Sequence, residues 1–379
     1  MTLITYITRV HFADEILDEA LRSELEINNK CRPLLIVDKI RDPSYEDTFQ
    51  RVLSGVPKKH NVQLFEVEDN LPYENTAIQI ANKFREQDCD ILLAMGSNNT
   101  IDLGKLSRVI IAHDKPLAPF TIAEGGSRRI GEKPLPELYV VPNIMGFCSA
   151  VSAHAKLVHD DGTYARLMCR KLVPTVTICD PTLTTGAELA VTASTGVDAI
   201  ARCLEAYLSP NYNPPADGIA FDGLRRAVKY LPKVLEEDNA QHRREMMAAS
   251  LNSALALQKG LGMTQVIGDG LEEAYGEYVN LGSIRRIILP KVVAMVSNHN
   301  LEKLDALSNL FNADGRSGIV NAIEDYFSRL PLADRFSSIG ITNQKLSDAA
   351  FIAAKAMSTS PGLEVIDSGP IEEMLLGSF

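Results

Sequence analysis

The strongest constraint on this chain is a change of rhythm partway along it. In the first half, short apolar runs alternate with helical patterns. Leu34-Leu35-Ile36-Val37 reads as a buried strand, Val62–Val67 alternates, and a helical stripe over about 74–87 carries Ile78, Ile80, Ala81 and Phe84. Ile91–Met95 and Leu138–Val141 follow as further strands, the last ending at Pro142. At the start, Ile4, Tyr6, Ile7, Val10 and Phe12 have a strand-like spacing. Strand–helix–strand alternation predicts an α/β domain with a Rossmann-like, largely parallel sheet and helices on both faces. After Asp180-Pro181 the pattern becomes helical, with segments near 190–207, 217–236, 243–259, 283–297, 301–311, 316–329 and 344–357. Gly260 and Gly262 stand as stop residues after the third. The expected division is 1–182, α/β and dinucleotide-binding-like, and 183–379, all-α.

Composition excludes several functions. The 379 residues carry 38 Lys+Arg against 49 Asp+Glu, a net charge of −11, which on average repels nucleic acid. The longest apolar runs, such as Ile91–Met95 and Val109–Ala112, fall far short of the roughly 18 residues of a membrane span. The start of the chain has no basic region followed by an apolar one, so no secretory signal is read there. Six cysteines, at 31, 89, 148, 169, 179 and 203, form no C-x-x-C pair, and a reducing cytoplasm is the expected home.

Met95-Gly96-Ser97-Asn98-Asn99-Thr100-Ile101-Asp102-Leu103-Gly104-Lys105 leaves a buried strand, turns through small polar residues and enters a helix. Such a turn offers backbone N–H groups and a helix N-terminus to an anion such as a pyrophosphate. The same pattern also serves as a plain strand–helix loop with Ser97 or Asn99 as N-cap. Asp38 ends the strand Leu34–Val37, where a carboxylate accepts from an adenine-ribose diol and repels a 2′-phosphate; an exposed turn aspartate is the alternative. Asp198 and Arg202 lie at i and i+4 on a helix, flanked by Val197, Ile200, Ala201 and Leu204, so they share one face and can form an ion pair.

Taken together, these segments resemble the iron-containing (group III) alcohol dehydrogenase family, relatives of glycerol dehydrogenase and 3-dehydroquinate synthase. The family's G-G-G-S-x-x-D-x-x-K loop is similar to Gly96–Lys105, with Gly96, Asp102 and Lys105 kept and Ser97, Asn98 and Asn99 replacing the other marked positions. Its P-T-T-x-G-T-G-S-E segment is similar to Pro142–Ala150, keeping Pro142, Gly146 and Ser149. Asp180-Pro181-x-Leu183, Thr195-Gly196-x-Asp198-Ala199, Glu205-Ala206-Tyr207, Gly260–Met263 and Ile287–Pro290 match closely.

The resemblance implies a dehydroquinate synthase-like architecture, with NAD or NADP and a small-molecule substrate in a cleft between the two domains. Gly96, Ser97 and Asn98, with Asp102 of the same loop, would hold the pyrophosphate. Asn143, Ile144 and Phe147 would take the family's threonine positions near the adenine, and Asp38 would favour NAD. Relatives are commonly dimers, so a homodimer is expected.

The family's metal is bound by one Asp and three His. Here the Asp matches Asp198, but Arg202, Gln265 and Leu281 stand at the His positions, and Asp269 matches the His often assigned to proton transfer. The remaining histidines (11, 60, 113, 154, 159, 242 and 299) do not recur at i, i+4 on a helix of the second domain. The chain thus reads as a degenerate member, and no metal is expected. Arg202 would act as the electrophile, oriented by Asp198, with Asp269 or Tyr275 supplying a proton. The expected activity is that of a metal-independent NAD(P)-dependent oxidoreductase on a small alcohol, aldehyde or keto acid. The alternative is a non-catalytic descendant that binds a metabolite or a partner protein.

Overall fold

The computed structural model describes residues 8–29, 32–39, 43–57, 60–69, 71–276, 279–296, 301–359, 363 and 365–379. Ile4, Tyr6, Ile7, Cys31 and His299 of the sequence reading lie outside the described residues. The chain divides into two units. One comprises the described residues up to Ala187 with Asn239–Met247, and the other comprises Glu188–Asp238 and Ala248–Phe379.

In the first unit, β1 (Arg9–Phe12), α1 (Leu17–Ile27), β2 (Pro33–Asp38), α2 (Pro43–Gly55), β3 (Gln63–Val67), α3 (Glu74–Glu86), β4 (Ile91–Gly96) and α4 (Asn98–His113) follow in order. After a short α5 (Ser127–Ile130) come β5 (Leu138–Pro142), β6 (His154–Val158), β7 (Tyr164–Met168) and β8 (Val176–Cys179). Six strands form one parallel sheet in the order β1-β8-β5-β4-β2-β3, while β6 and β7 pair as an antiparallel hairpin. Period-two alternation sorts the central strands into two faces. Leu35, Val37, Leu93, Met95, Tyr139 and Val141 pack with Leu17 and Leu21 of α1 and with Tyr45, Phe49 and Val52 of α2. On the opposite face α4 lies so close that a Cβ at Gly104 would stand 3.1 Å from Leu138 and 3.5 Å from Ala94. Both faces are covered, which is why these strands read as unbroken apolar runs.

The second unit is helical: α6 (Leu189–Leu208), α7 (Pro214–Glu236), the later part of α8 (Ala240–Ala256), α9 (Met263–Tyr275), α10 (Leu281–Val296), α11 (Leu301–Phe311), α12 (Ile319–Ser328), α13 (Leu346–Thr359) and α14 (Ser368–Leu376). Its core gathers Val266, Ile267 and Leu271 of α9, Ile284, Ile288 and Val292 of α10, and Ala349, Ala350 and Ala353 of α13. Among the described residues no helix is long and apolar enough to cross a membrane.

Candidate functional site

The chain runs from β2 outward to β3 at the sheet edge, then returns to β4 on the other side of β2. That reversal opens a crevice at the carboxyl ends of β2 and β4, where open α/β sheets bind ligands. Asp38 ends β2, Gly96 ends β4 and Pro142 ends the next strand, β5. Gly96 takes φ 147°, and a Cβ there would run into the Asp38 carboxylate, so glycine is required on both counts.

Asp38 takes over the capping of α4. Its Oδ2 accepts the Ser97 N–H at 3.2 Å, and its Oδ1 accepts the Thr100 hydroxyl. Ser97 occupies the N-cap position without a side-chain bond, and Asn99, the other candidate cap, lies inside the helix. The carboxylate thus sits at a helix N-terminus, where the dipole favours negative charge, although burial pushes its pKa up. Rather than standing exposed in a turn, Asp38 organises the loop.

Asn98 joins the two segments that the sequence reading assigned to the cofactor. Its Oδ1 accepts the Ser149 N–H at 2.9 Å, and its Nδ2 donates to the Gly146 carbonyl. Asn143 and Ile144 in the same loop are partly exposed, whereas Phe147 is buried at 1% exposure. Asp102 faces the interior instead. Its Oδ2 accepts the Lys156 N–H at 3.0 Å, and its Oδ1 lies 3.7 Å from the Lys105 ammonium. Lys105 in turn donates to the carbonyls of Ser152 and His154 at 3.0 and 2.6 Å. Burial raises the Asp102 carboxyl and pulls Lys105 down to about 8. This pair fastens α4 to the β6–β7 hairpin, a structural role that removes Asp102 from the loop's ligand-facing set.

In the helical unit the structure brings Asp198, Arg202, Gln265 and Asp269 together. Arg202 Nε bonds both Asp198 oxygens, at 3.1 and 2.9 Å, across one turn of α6. Arg202 Nη2 donates to Gln265 Oε1, and Gln265 Nε2 donates to Asp269 Oδ1 at 2.8 Å across one turn of α9. A fifth member, Arg285 of α10, pairs with Asp198 through Nη1 and donates to Gln265 Oε1 through Nη2. Sequence reasoning missed Arg285. Its signal was spacing: it follows Leu281 by four residues and so shares that residue's helix face. Tyr275, the alternative proton source, is not part of this cluster; its hydroxyl donates to the Thr342 carbonyl.

The start of α9 is set from α6. Glu205, one turn beyond Arg202, accepts the Thr264 N–H at 2.8 Å and the Thr264 hydroxyl at 2.6 Å. Gly262 precedes the helix because a Cβ there would strike this carboxylate. Burial pushes the Glu205 carboxyl up, against the opposing effect of these bonds.

These residues do not fit a transition-metal ion. Both Asp198 oxygens already face guanidinium N–H groups, and a guanidinium offers no lone pair and repels a cation. Among the described residues no three His, Cys, Asp or Glu side chains come together in a way that could hold a metal.

Comparison with known proteins agrees with this fold. Iron-containing alcohol dehydrogenase matches residues 8–181, and the C-terminal part of the Fe-containing alcohol dehydrogenase family matches residues 192–378. The 4-hydroxybutyrate dehydrogenase of Cupriavidus necator is 33% identical over 351 residues, covering 90% of each chain. A solved 1,3-propanediol oxidoreductase superposes with a TM-score of 0.86 at 20% identity over 100% of both chains. The sulfoacetaldehyde reductase of Bifidobacterium kashiwanohense, solved with NAD+, superposes with a TM-score of 0.83 at 19% identity over 100% of this chain and 98% of that one. The fold is therefore dehydroquinate synthase-like, an α/β part followed by a helical part, and the chain belongs to the iron-containing alcohol dehydrogenase family as an alcohol dehydrogenase-like oxidoreductase.

Proposed function

We propose that the chain is an NAD-dependent oxidoreductase that interconverts a small, carboxylate-bearing alcohol with its aldehyde or ketone without a bound metal. The α/β part, residues 1–182, would hold the dinucleotide, and the helical part, 183–379, would act on the substrate oxygen. The observation that carries this reading is the buried Asp198–Arg202 pair, a fixed cation on an oriented base. The relationship to a 4-hydroxybutyrate dehydrogenase supports the choice of a small acid.

Gly96, Ser97 and Asn98 would meet the pyrophosphate at the N-terminus of α4, with Asn143 and Ile144 bounding the adenine side. The bound nicotinamide would supply the hydride. Arg202 would donate to the substrate oxygen as negative charge builds there. In the reducing direction Asp269 would give that oxygen its proton, and in the oxidising direction it would take the proton back. Asp198 would hold the Arg202 guanidinium in place.

Titration of NADH and NADPH by fluorescence, followed by a screen of hydroxy acids and their aldehydes with and without chelator, tests this reading. Chelator-insensitive turnover is the expected result. Absence of NADH binding would remove the proposal and leave the non-catalytic descendant.

Asp38→Asn separates the loop role from the specificity role. An asparagine at this position still accepts from the Ser97 N–H and bonds Thr100. Because burial raises the Asp38 pKa above its ordinary 3.8, the stabilisation that its carboxyl contributes is complete only below that value. It is lost as pH rises through the folded-state value. Asp38→Asn should therefore melt at or above wild type at neutral pH, with the difference closing on acidification. NADPH should bind it more tightly relative to NADH, because the charge that repels a 2′-phosphate is gone. Melting curves across pH and the ratio of the two dissociation constants check both statements.

A further inference from the structure

The polar cluster of the helical unit is lined with the kind of oxygens that usually hold a hard cation: both oxygens of Asp198, Gln265 Oε1 and Asp269 Oδ1. Each already accepts an N–H. Arg202 Nε covers both Asp198 oxygens, and Arg285 adds a second guanidinium to Oδ1. Gln265 Oε1 accepts from both arginines, which turns its Nε2 toward Asp269. With the amide reversed, an NH2 group would face two cations. Arg285 is 1% exposed, so it meets no substrate and acts through Asp198 and Gln265.

We infer that Arg285 is a positioning residue: its charge on Asp198 and Gln265 closes this group of oxygens to divalent cations and sets the direction of the Gln265–Asp269 bond. Losing Arg202 alone does not open the cluster to a cation, because Arg285 still neutralises Asp198. Losing both uncovers the Asp198 carboxylate and the Gln265 carbonyl for an ion, beside Asp269. The inference extends the metal-free reading above and rests on it only for the catalytic use of Arg202 and Asp269.

The test is Mn2+ titration, followed by electron paramagnetic resonance, of chelator-treated full-length protein as wild type, Arg202→Ala, Arg285→Lys and the double variant Arg202→Ala/Arg285→Met. Only the double variant should take up one Mn2+ per chain, at least about tenfold more tightly than the others, and its melting temperature should rise with the ion. Arg285→Lys retains the charge and should stay ion-free. Stoichiometric Mn2+ in wild type, or binding by Arg202→Ala as tight as by the double variant, would overturn the inference.

Should the double variant fail to fold, melting of Arg285→Met, Asp198→Asn and Asp198→Asn/Arg285→Met decides instead. Removing the pair together should cost less than the sum of the single losses, and simple additivity would overturn the inference. NADH titration of wild type reports on the oxidoreductase reading alone, and its failure leaves the ion result standing.

Discussion

Arg202→Met is expected to lower kcat/KM by about 100- to 1000-fold, while the dissociation constant for NADH stays within about twofold of wild type. The size follows from the task assigned to the guanidinium. It would be the permanent positive charge at the substrate oxygen, and removing one pre-aimed donor from such a position costs about 3–4 kcal/mol in the transition state. Arg202 bonds Asp198 through Nε and Gln265 through Nη2, so Nη1 is the donor that this reading assigns to the substrate. Arg202→Lys should recover only part of the loss, since one ammonium cannot hold Asp198 and Gln265 from the two separated nitrogens that Arg202 uses and still face the substrate. Steady-state kinetics in both directions, beside a fluorescence titration of NADH, separate the two effects. Full kcat/KM in Arg202→Met would eliminate Arg202 as the electrophile.

Much of the architecture was legible because burial leaves a direct trace in sequence. β2, β4 and β5 are covered on both faces, so each had to be an apolar run. Helix α6 announced itself through Asp198 and Arg202 on one face and apolar residues around them. Helix α9 was missed for a physical reason. It contains Gly268 and Gly270, poor helix formers, and its conformation is imposed by tertiary contacts. Glu205 caps its first turn, and a Cβ at Gly270 would stand 2.7 Å from the Ala349 carbonyl oxygen of α13. The β6–β7 hairpin was also missed. Its strands are only five residues each and carry His154, Lys156 and Arg166 among apolar residues, so neither shows a long run of one kind.

The site divides in the same way. Residues whose partners are near in sequence, such as Asp198 with Arg202, could be paired by counting. Arg285 could not, because its partners lie 87 and 20 residues away and only packing brings them together. Asp38 was located at the end of its strand, but its work in capping α4 through Thr100, 62 residues on, is a product of the parallel sheet. Asp102 marks the opposite limit. Its place in a recognisable loop suggested the cofactor, while its burial beside Lys105 shows that motifs also preserve residues that hold the scaffold.

Asp180→Ala should produce the largest loss of stability. Asp180 is fully buried directly after β8 and gathers five donors. Its Oδ1 accepts the N–H groups of Glu15 and Thr182 at 3.0 and 3.1 Å and the Thr182 hydroxyl at 2.6 Å. Its Oδ2 accepts the Leu17 N–H at 3.3 Å and Arg51 Nη2 at 2.8 Å. One carboxylate thereby pins the start of α1, the turn after β8 and a side chain of α2. Removing it strands three backbone donors and a guanidinium, at a cost of about 3–5 kcal/mol. For a unit of this size that corresponds to a fall of about 10 °C in melting temperature. Arg51→Met should cost much less, about 1–2 kcal/mol, since Arg51 is 22% exposed and four donors remain on Asp180. Scanning calorimetry of both variants measures the difference. If Asp180→Ala melts within about 2 °C of wild type, or Arg51→Met proves equally damaging, the carboxylate is not the hub that joins these three elements.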